Sequence, residues 1–229
     1  MDAATSPVNL EWSRLPSGFK VIPGAEAGYL VCRDPDESPV SIRPMDDANV
    51  ITAFSRLKDE DQVRRFANRY GYLWIDHPGA TQWSPSESEI RQINELERTY
   101  RIVNEVGLIL NLALTMRDIM QIVSDPRRTV DQTTVAAVWL GNALWQVGGY
   151  HVGVSCDDTG AIRQTIRPAS LLGAIWIQFS SVVADHVALL QICDHCRRPY
   201  VAQAKSRGKA RRWCGSACKK ANQRSKQGA

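Results

Sequence analysis

The sequence predicts a mainly α fold with small β-hairpins (α+β), ending in a compact four-cysteine module. Three observations carry that expectation. Apolar positions recur at helical spacing over long stretches of the middle of the chain. Two short arms of apolar residues flank Asp158-Thr159-Gly160, as in a hairpin. Near the end, Cys193-x2-Cys196 and Cys214-x3-Cys218 place two close pairs of thiols seventeen residues apart.

Taken in order, residues 1–27 read as irregular, because Pro7, Pro16, Gly18, Pro23 and Gly24 interrupt any regular pattern. Gly28–Arg33 reads as a short strand, with Ser41–Arg43 as its partner across the Asp34-Pro35-Asp36-Glu37 turn. Helices are expected around Asp47–Arg56 and Glu60–Arg69. The second presents Val63, Phe66 and Tyr70 on one face and stops at Gly71. Residues 71–84 read as a loop. Ser84-Pro85-Ser86-Glu87 then gives a helix start: a capping serine, a proline where its missing N–H is harmless, and a glutamate to close the box. The apolar spacing from Ile90 runs through Tyr100, Val103 and Val106 to Val123, and a break is expected near Gly107.

Asp131 is the expected cap of a further helix through Val147, with Val135, Val138, Trp139, Leu140 and Leu144 facing inward. Tyr150–Asp157 and Ala161–Arg167 form the hairpin. A last core helix over Ala169–Ile192 is expected to lead straight into Cys193. Two uncharged runs, Gln132–Cys156 and Pro168–Ala184, read as buried segments better than as membrane spans, because polar residues and Gly148-Gly149 interrupt them. The domain reading is thus 1–192, mainly helical, and 193–229, the cysteine module.

Charge divides at the same point. From Cys193 to Ala229 there are eleven Lys or Arg residues and one acid, Asp194, a formal balance of +10; the rest of the chain carries −6. A basic field concentrated in this way is suited to a polyanion. The six cysteines do not suggest a disulfide framework, since four have metal-ligand spacing and the start of the chain is polar and acidic. A reducing cytoplasm is the expected compartment, nucleoid-associated if the chain binds DNA. Cys32 and Cys156 read as small buried residues.

Four soft sulfur donors in two short pairs suit one tetrahedral, structural Zn2+ ion held by Cys193, Cys196, Cys214 and Cys218. His195 is a competent ligand type. It lies between two cysteines that already have the standard spacing, so the all-cysteine set is preferred. A module of this size has little apolar material, chiefly Tyr200, Val201 and Trp213. Metal binding would therefore be part of its folding free energy. Pro199–Ala202 and Ala210–Trp213 are expected to pair as a hairpin, and Ser216 to open a short helix. Arg207, Lys209, Arg211 and Arg212 on the hairpin, with Lys219, Lys220, Arg224 and Lys226 on the helix, form a cationic footprint for a phosphate backbone. Asn222 and Gln223 are donors for base edges or phosphates.

These residues carry a resemblance. Cys193-x2-Cys196-Arg-Arg-Pro-Tyr, the basic hairpin, Arg212-Trp213-Cys214-Gly-Ser-Ala-Cys218 and the basic helix resemble the CGNR-type zinc finger of bacterial proteins. Phe66-Ala67-Asn68-Arg69-Tyr70-Gly71 is similar to a segment in the N-terminal part of such proteins. The resemblance implies a helical N-terminal domain, a treble-clef-like C-terminal finger and four cysteine ligands. It also implies DNA binding in transcription regulation. Where that family carries Cys-Gly-Asn-Arg, this chain has Cys218-Lys219-Lys220-Ala221, with Asn222 and Arg224 further along.

The expected function is DNA binding through the basic finger, DNA before RNA. The alternatives are a zinc-dependent protein-interaction or adaptor module, and an RNA-binding protein or nucleic-acid-processing enzyme. No catalytic set is expected: the sequence has no glycine-rich phosphate loop, no H-E-x-x-H and no G-x-S-x-G. His77, His151 and His186 are widely separated. The larger domain is expected to sense a small-molecule or protein signal, to form a homodimer, or both. Trp74, Trp83, Trp139, Trp145 and Trp176 are candidates for a pocket or dimer face, or simply for the core.

Overall fold

The computed structural model describes residues 12–24, 28–34, 36–47, 49–73, 103–147, 150–156, 162–168, 170–185, 187–202 and 212–227. It shows a mixed α+β fold. β1 (Trp12–Arg14) pairs antiparallel with β4 (Val40–Ile42), and β3 (Tyr29–Cys32) is the middle strand between β2 (Phe19–Ile22) and β5 (Val103–Glu105). A short 3-10 turn at Pro44–Asp46 leads to α1 (Val50–Phe54) and α2 (Glu60–Tyr70). The two longest helices, α3 (Val106–Ser124) and α4 (Val130–Gln146), follow β5. Next come the hairpin β6 (Tyr150–Cys156) with β7 (Ile162–Pro168), then α5 (Leu171–Asp185). A 3-10 turn at Val187–Leu189 enters β8 (Leu190–Ile192), which pairs with β9 (Pro199–Val201), and α6 (Ser216–Gln227) closes the described chain.

Where it is described, the segment before Gly28 forms two strands, β1 and β2. Pro16 and Gly18 fall between them, with Gly18 at φ +76°, a region that side chains disfavour, and Pro23 and Gly24 follow β2. The strand at Tyr29–Cys32 does not pair with the segment near Ser41. All four of its residues are buried, so it needs partners on both edges, and Phe19–Ile22 and Val103–Glu105 supply them. That pairing also decides the long helical pattern. Val103 belongs to a strand, and the helix begins at Val106, whose N–H donates to the Gly28 carbonyl at 2.9 Å. The expected break near Gly107 is thus a strand-to-helix junction. The expected helix start at Ser84 and the loop with Trp74, His77 and Trp83 lie outside the described residues.

α2 follows its sequence signals. The Asp59 side chain accepts the Gln62 N–H at 2.8 Å, and Gly71 ends the helix at φ +93°. The cap of α4 is Thr129, not Asp131: Thr129 and Gln132 exchange side-chain-to-backbone bonds, which satisfies two orphan N–H groups and starts the helix before Asp131. The inward face of α4 matches expectation in part: Leu140 and Leu144 are half-buried against the core. Ala136 and Ala143 are buried, whereas Val135, Val138 and Trp139 are exposed and Trp145 is 57% exposed. The small alanines allow close approach of α4 to the core, which leaves the larger apolar groups outside. Trp176, by contrast, is fully buried.

The core is one cluster built on α3 and α5. Ile109, Leu112, Met116, Ile119 and Met120 of α3 pack with Leu171, Leu172, Ile175, Trp176 and Phe179 of α5, and with Phe19, Leu30, Phe54 and Phe66. α3 is long and apolar enough to cross a membrane by length and composition. Here it is a core helix that also carries Arg117 and Asp118. Arg117 ties it to the α1–α2 connection, donating from Nε to the Ser55 carbonyl and from Nη2 to the Leu57 carbonyl, each at 2.9 Å.

Candidate metal centre

The chain does not enter the cysteine module on a helix. α5 ends at Asp185, its start capped by Ser170 Oγ accepting the Gly173 N–H at 2.8 Å, and residues 190–192 are extended. Pro199–Val201 pairs with this entering strand, while Ala210 and Arg211 of its expected partner lie outside the described residues. The hairpin turn holds the first cysteine pair. Cys193 N–H donates to Arg198 O at 3.0 Å and Arg197 N–H to Cys193 O at 2.9 Å, which folds the loop so that Cys193 and Cys196 point to one side. Arg197 takes φ 59°, the one non-glycine residue with positive φ among those described. The second pair lies at the start of α6: Cys214 precedes it and Cys218 is one turn on.

The four Sγ atoms lie within 4.8 Å of one another. Cys196 Sγ and Cys214 Sγ are 3.7 Å apart, and Cys214 Sγ and Cys218 Sγ 3.5 Å. Four sulfurs at ~2.3 Å from a zinc ion at a tetrahedron's centre would be ~3.8 Å from each other, so the two measured edges fit that geometry. All four are free thiols. The cluster is thus positioned to coordinate a single metal ion, consistent with a structural zinc site. His195 is exposed beside it, and the four-sulfur set is complete without it.

The surroundings favour negative charge at one sulfur and resist it at others. Burial opposes ionisation of Cys193, but the N–H groups of Cys196, Cys214 and His195 turn toward its sulfur and bring the thiol down to about 6. Burial pushes Cys214 up, against the opposing pull of the positive charge on the Arg56 guanidinium. Burial and then the neighbouring sulfurs of Cys214 and Cys196 push Cys218 up to about 12. Several thiolates at this separation need a cation among them, and a divalent ion supplies it.

Around the cluster, Cys193, Tyr200 and Ala202 form a miniature core with Trp213 packed against it. The module is also fastened to α1. Val201 N–H donates to Thr52 Oγ1 at 3.1 Å, and the Arg56 charge acts on Cys214. Arg56 was not legible from the cysteine pattern. It lies far upstream in the chain, and its only signal is a cation just past a short helix.

Of the expected nucleic-acid residues, Arg212, Lys219, Lys220, Gln223 and Arg224 are exposed, Asn222 is half-buried and Lys226 lies on α6. At ~100° per residue, Lys219, Lys220, Gln223, Arg224 and Lys226 share an arc of about 160°. Cys218, Ala221 and Asn222 occupy the other side. Arg212 is partly committed elsewhere: its Nε donates to Asp194 Oδ2 at 2.8 Å. Arg207, Lys209 and Arg211 lie outside the described residues, as does His186.

Comparison of the chain with family models and with curated proteins finds no match.

Proposed function

We propose that this chain is a DNA-binding protein, a transcription regulator, that contacts duplex DNA through a zinc-loaded C-terminal finger. The observation that carries the reading is the cationic face of α6. Exposed Lys219, Lys220 and Arg224 line one side of a helix whose other side bears the ligand Cys218. Metal binding would hold that helix in register with the hairpin and so fix the cations in space. The division into 1–192 and 193–229, the treble-clef topology and the likeness to the CGNR-type finger belong to this proposal. So does a non-enzymatic, cytoplasmic role in which the larger unit receives a small-molecule or protein signal or pairs with a second copy. The paired strands before and after the first two cysteines, with a helix carrying the last, support the treble-clef reading.

The test is a titration of the zinc-loaded full chain against duplex DNA and RNA at several salt concentrations. Three phosphates neutralised by Lys219, Lys220 and Arg224 would give a log–log salt slope of about −2.7, and so roughly a 40-fold loss of affinity between about 50 and about 200 mM salt. Charge reversal at Lys219 and Lys220 is expected to remove most of the binding. Absence of binding to either polymer at low salt refutes the proposal. Capture of an acidic protein abolished by the same reversals would favour the adaptor alternative.

A further inference from the structure

A second cationic feature lies away from the exposed face of α6. Ser55, Arg56 and Lys58 of the α1–α2 connection, Arg117 and Gln121 of α3, and Arg197, Arg198 and Pro199 of the cysteine hairpin enclose a crevice of about 100 Å³. Five of these side chains are cationic and none is acidic. Such a lining is self-repelling unless an anion enters it. Arg56 Nε and Nη2 are buried and have no hydrogen-bond partner among the described residues. A buried guanidinium N–H without a partner is costly, and an oxyanion is the partner it fits best. Arg197 adds an independent sign. It holds a left-handed backbone that glycine would adopt without cost, yet the position carries a cation that lines this crevice.

The crevice is also preorganised. Arg117 spends Nε and Nη2 on the Ser55 and Leu57 carbonyls, which fixes the loop that presents Arg56 and Lys58. At about 100 Å³ the crevice has room for one tetrahedral oxyanion.

We infer that this crevice binds a single phosphate group. The group comes either from a nucleic-acid backbone or from a small phosphate-bearing ligand, and the shared chemistry is a dianionic or monoanionic oxyanion held by Arg56, Lys58, Arg197 and Arg198. The site does not depend on the α6 face, so it stands or falls separately from the DNA reading.

The experiment uses the zinc-loaded full chain and inorganic phosphate as probe, with sodium chloride at matched ionic strength as control. Phosphate is expected to bind saturably at one site by calorimetry and to raise the thermal midpoint above the chloride control. Arg197→Gly and Lys58→Ala should each weaken phosphate binding at least fivefold. Neither is expected to unfold the chain, since Lys58 is exposed and glycine relieves the Arg197 backbone. Lys219→Ala with Lys220→Ala should leave phosphate binding unchanged. A further arm assigns the source. Competition between duplex DNA and phosphate, together with loss of DNA affinity in Arg197→Gly, identifies a backbone contact. Phosphate binding that DNA does not displace identifies a free phosphate-bearing ligand. A thermal shift no larger than that from chloride, or phosphate affinity unaltered in both crevice variants, overturns the inference. Phosphate binding without any DNA binding would overturn the DNA reading alone.

Discussion

Replacing Arg197 by glycine should tighten metal binding. At φ 59° an L-residue carries a steric cost between its Cβ and the following carbonyl oxygen, about 1–2 kcal/mol for the left-handed region. Glycine removes that cost. It also adds freedom to the unfolded chain, which offsets about 0.4–1 kcal/mol of the gain. The net effect is a stabilisation of about 0.5–1 kcal/mol in the folded hairpin. Because folding of so small a module is coupled to metal loading, the same free energy should appear as zinc affinity, about 2–5-fold tighter at about 1.4 kcal/mol per tenfold. Chelator competition on the full chain measures it directly. Arg197→Ala is the control: it removes the guanidinium but keeps the backbone cost, so its zinc affinity should stay within about twofold of the parent. Weaker zinc binding in the glycine variant, or equal affinities for the glycine and alanine variants, would refute the reasoning.

Other perturbations test other parts of the molecule. Cys214→Ser removes the sulfur that lies close to both Cys196 and Cys218. It should abolish tetrathiolate absorption in the cobalt-substituted protein while leaving the far-ultraviolet spectrum of the larger unit largely intact. Zinc loading at neutral pH should release protons, because Cys214 and Cys218 are held protonated in the metal-free site whereas Cys193, at about 6, is already mostly ionised. Affinity should therefore fall as pH is lowered, and most steeply near and below about 6, where Cys193 also gains a proton; calorimetry in buffers of different ionisation enthalpy counts the protons. Arg117→Met deletes two charge-assisted bonds to the Ser55 and Leu57 carbonyls and should cost about 2–3 kcal/mol in urea unfolding. Gly71→Ala would set a Cβ 2.5 Å from the Ser13 carbonyl at φ +93°. A loss of at least about 2 kcal/mol in the same assay is expected.

The cysteine cluster was legible because its information is local. Two ligands within one tight turn and two within one helical turn are fixed by spacing alone, and the four sulfurs do converge. The same holds for α2, whose cap, apolar stripe and terminal glycine lie within thirteen residues. Pairings between distant segments were not legible. Nothing in Val103–Glu105 marks it as the edge partner of Tyr29–Val31, and its apolar spacing continues a helical pattern. Extended residues 190–192 were read as helix for a related reason: an apolar run fits either state, and the partner strand beyond the turn decides it. The inward face of α4 is legible only in part, because helical spacing marks Leu140 and Leu144 but does not separate them from Val135, Val138 and Trp139. Close helix packing selects Ala136 and Ala143 and leaves those three outside.

The hydrogen bond from Val201 N–H to Thr52 Oγ1 joins residues 149 positions apart. During synthesis, α1 is complete long before the strand that docks on it leaves the ribosome. Thr52, 5% exposed once docked, must wait uncovered until Pro199–Val201 arrives. Contacts of this sequence separation form slowly, since a long loop must close before they repay its entropy. Metal loading and the sealing of α1 therefore fall together, well after α1 itself has formed. A molecule truncated before Cys193 would lack not only the four-cysteine cluster but also the lid over its first helix.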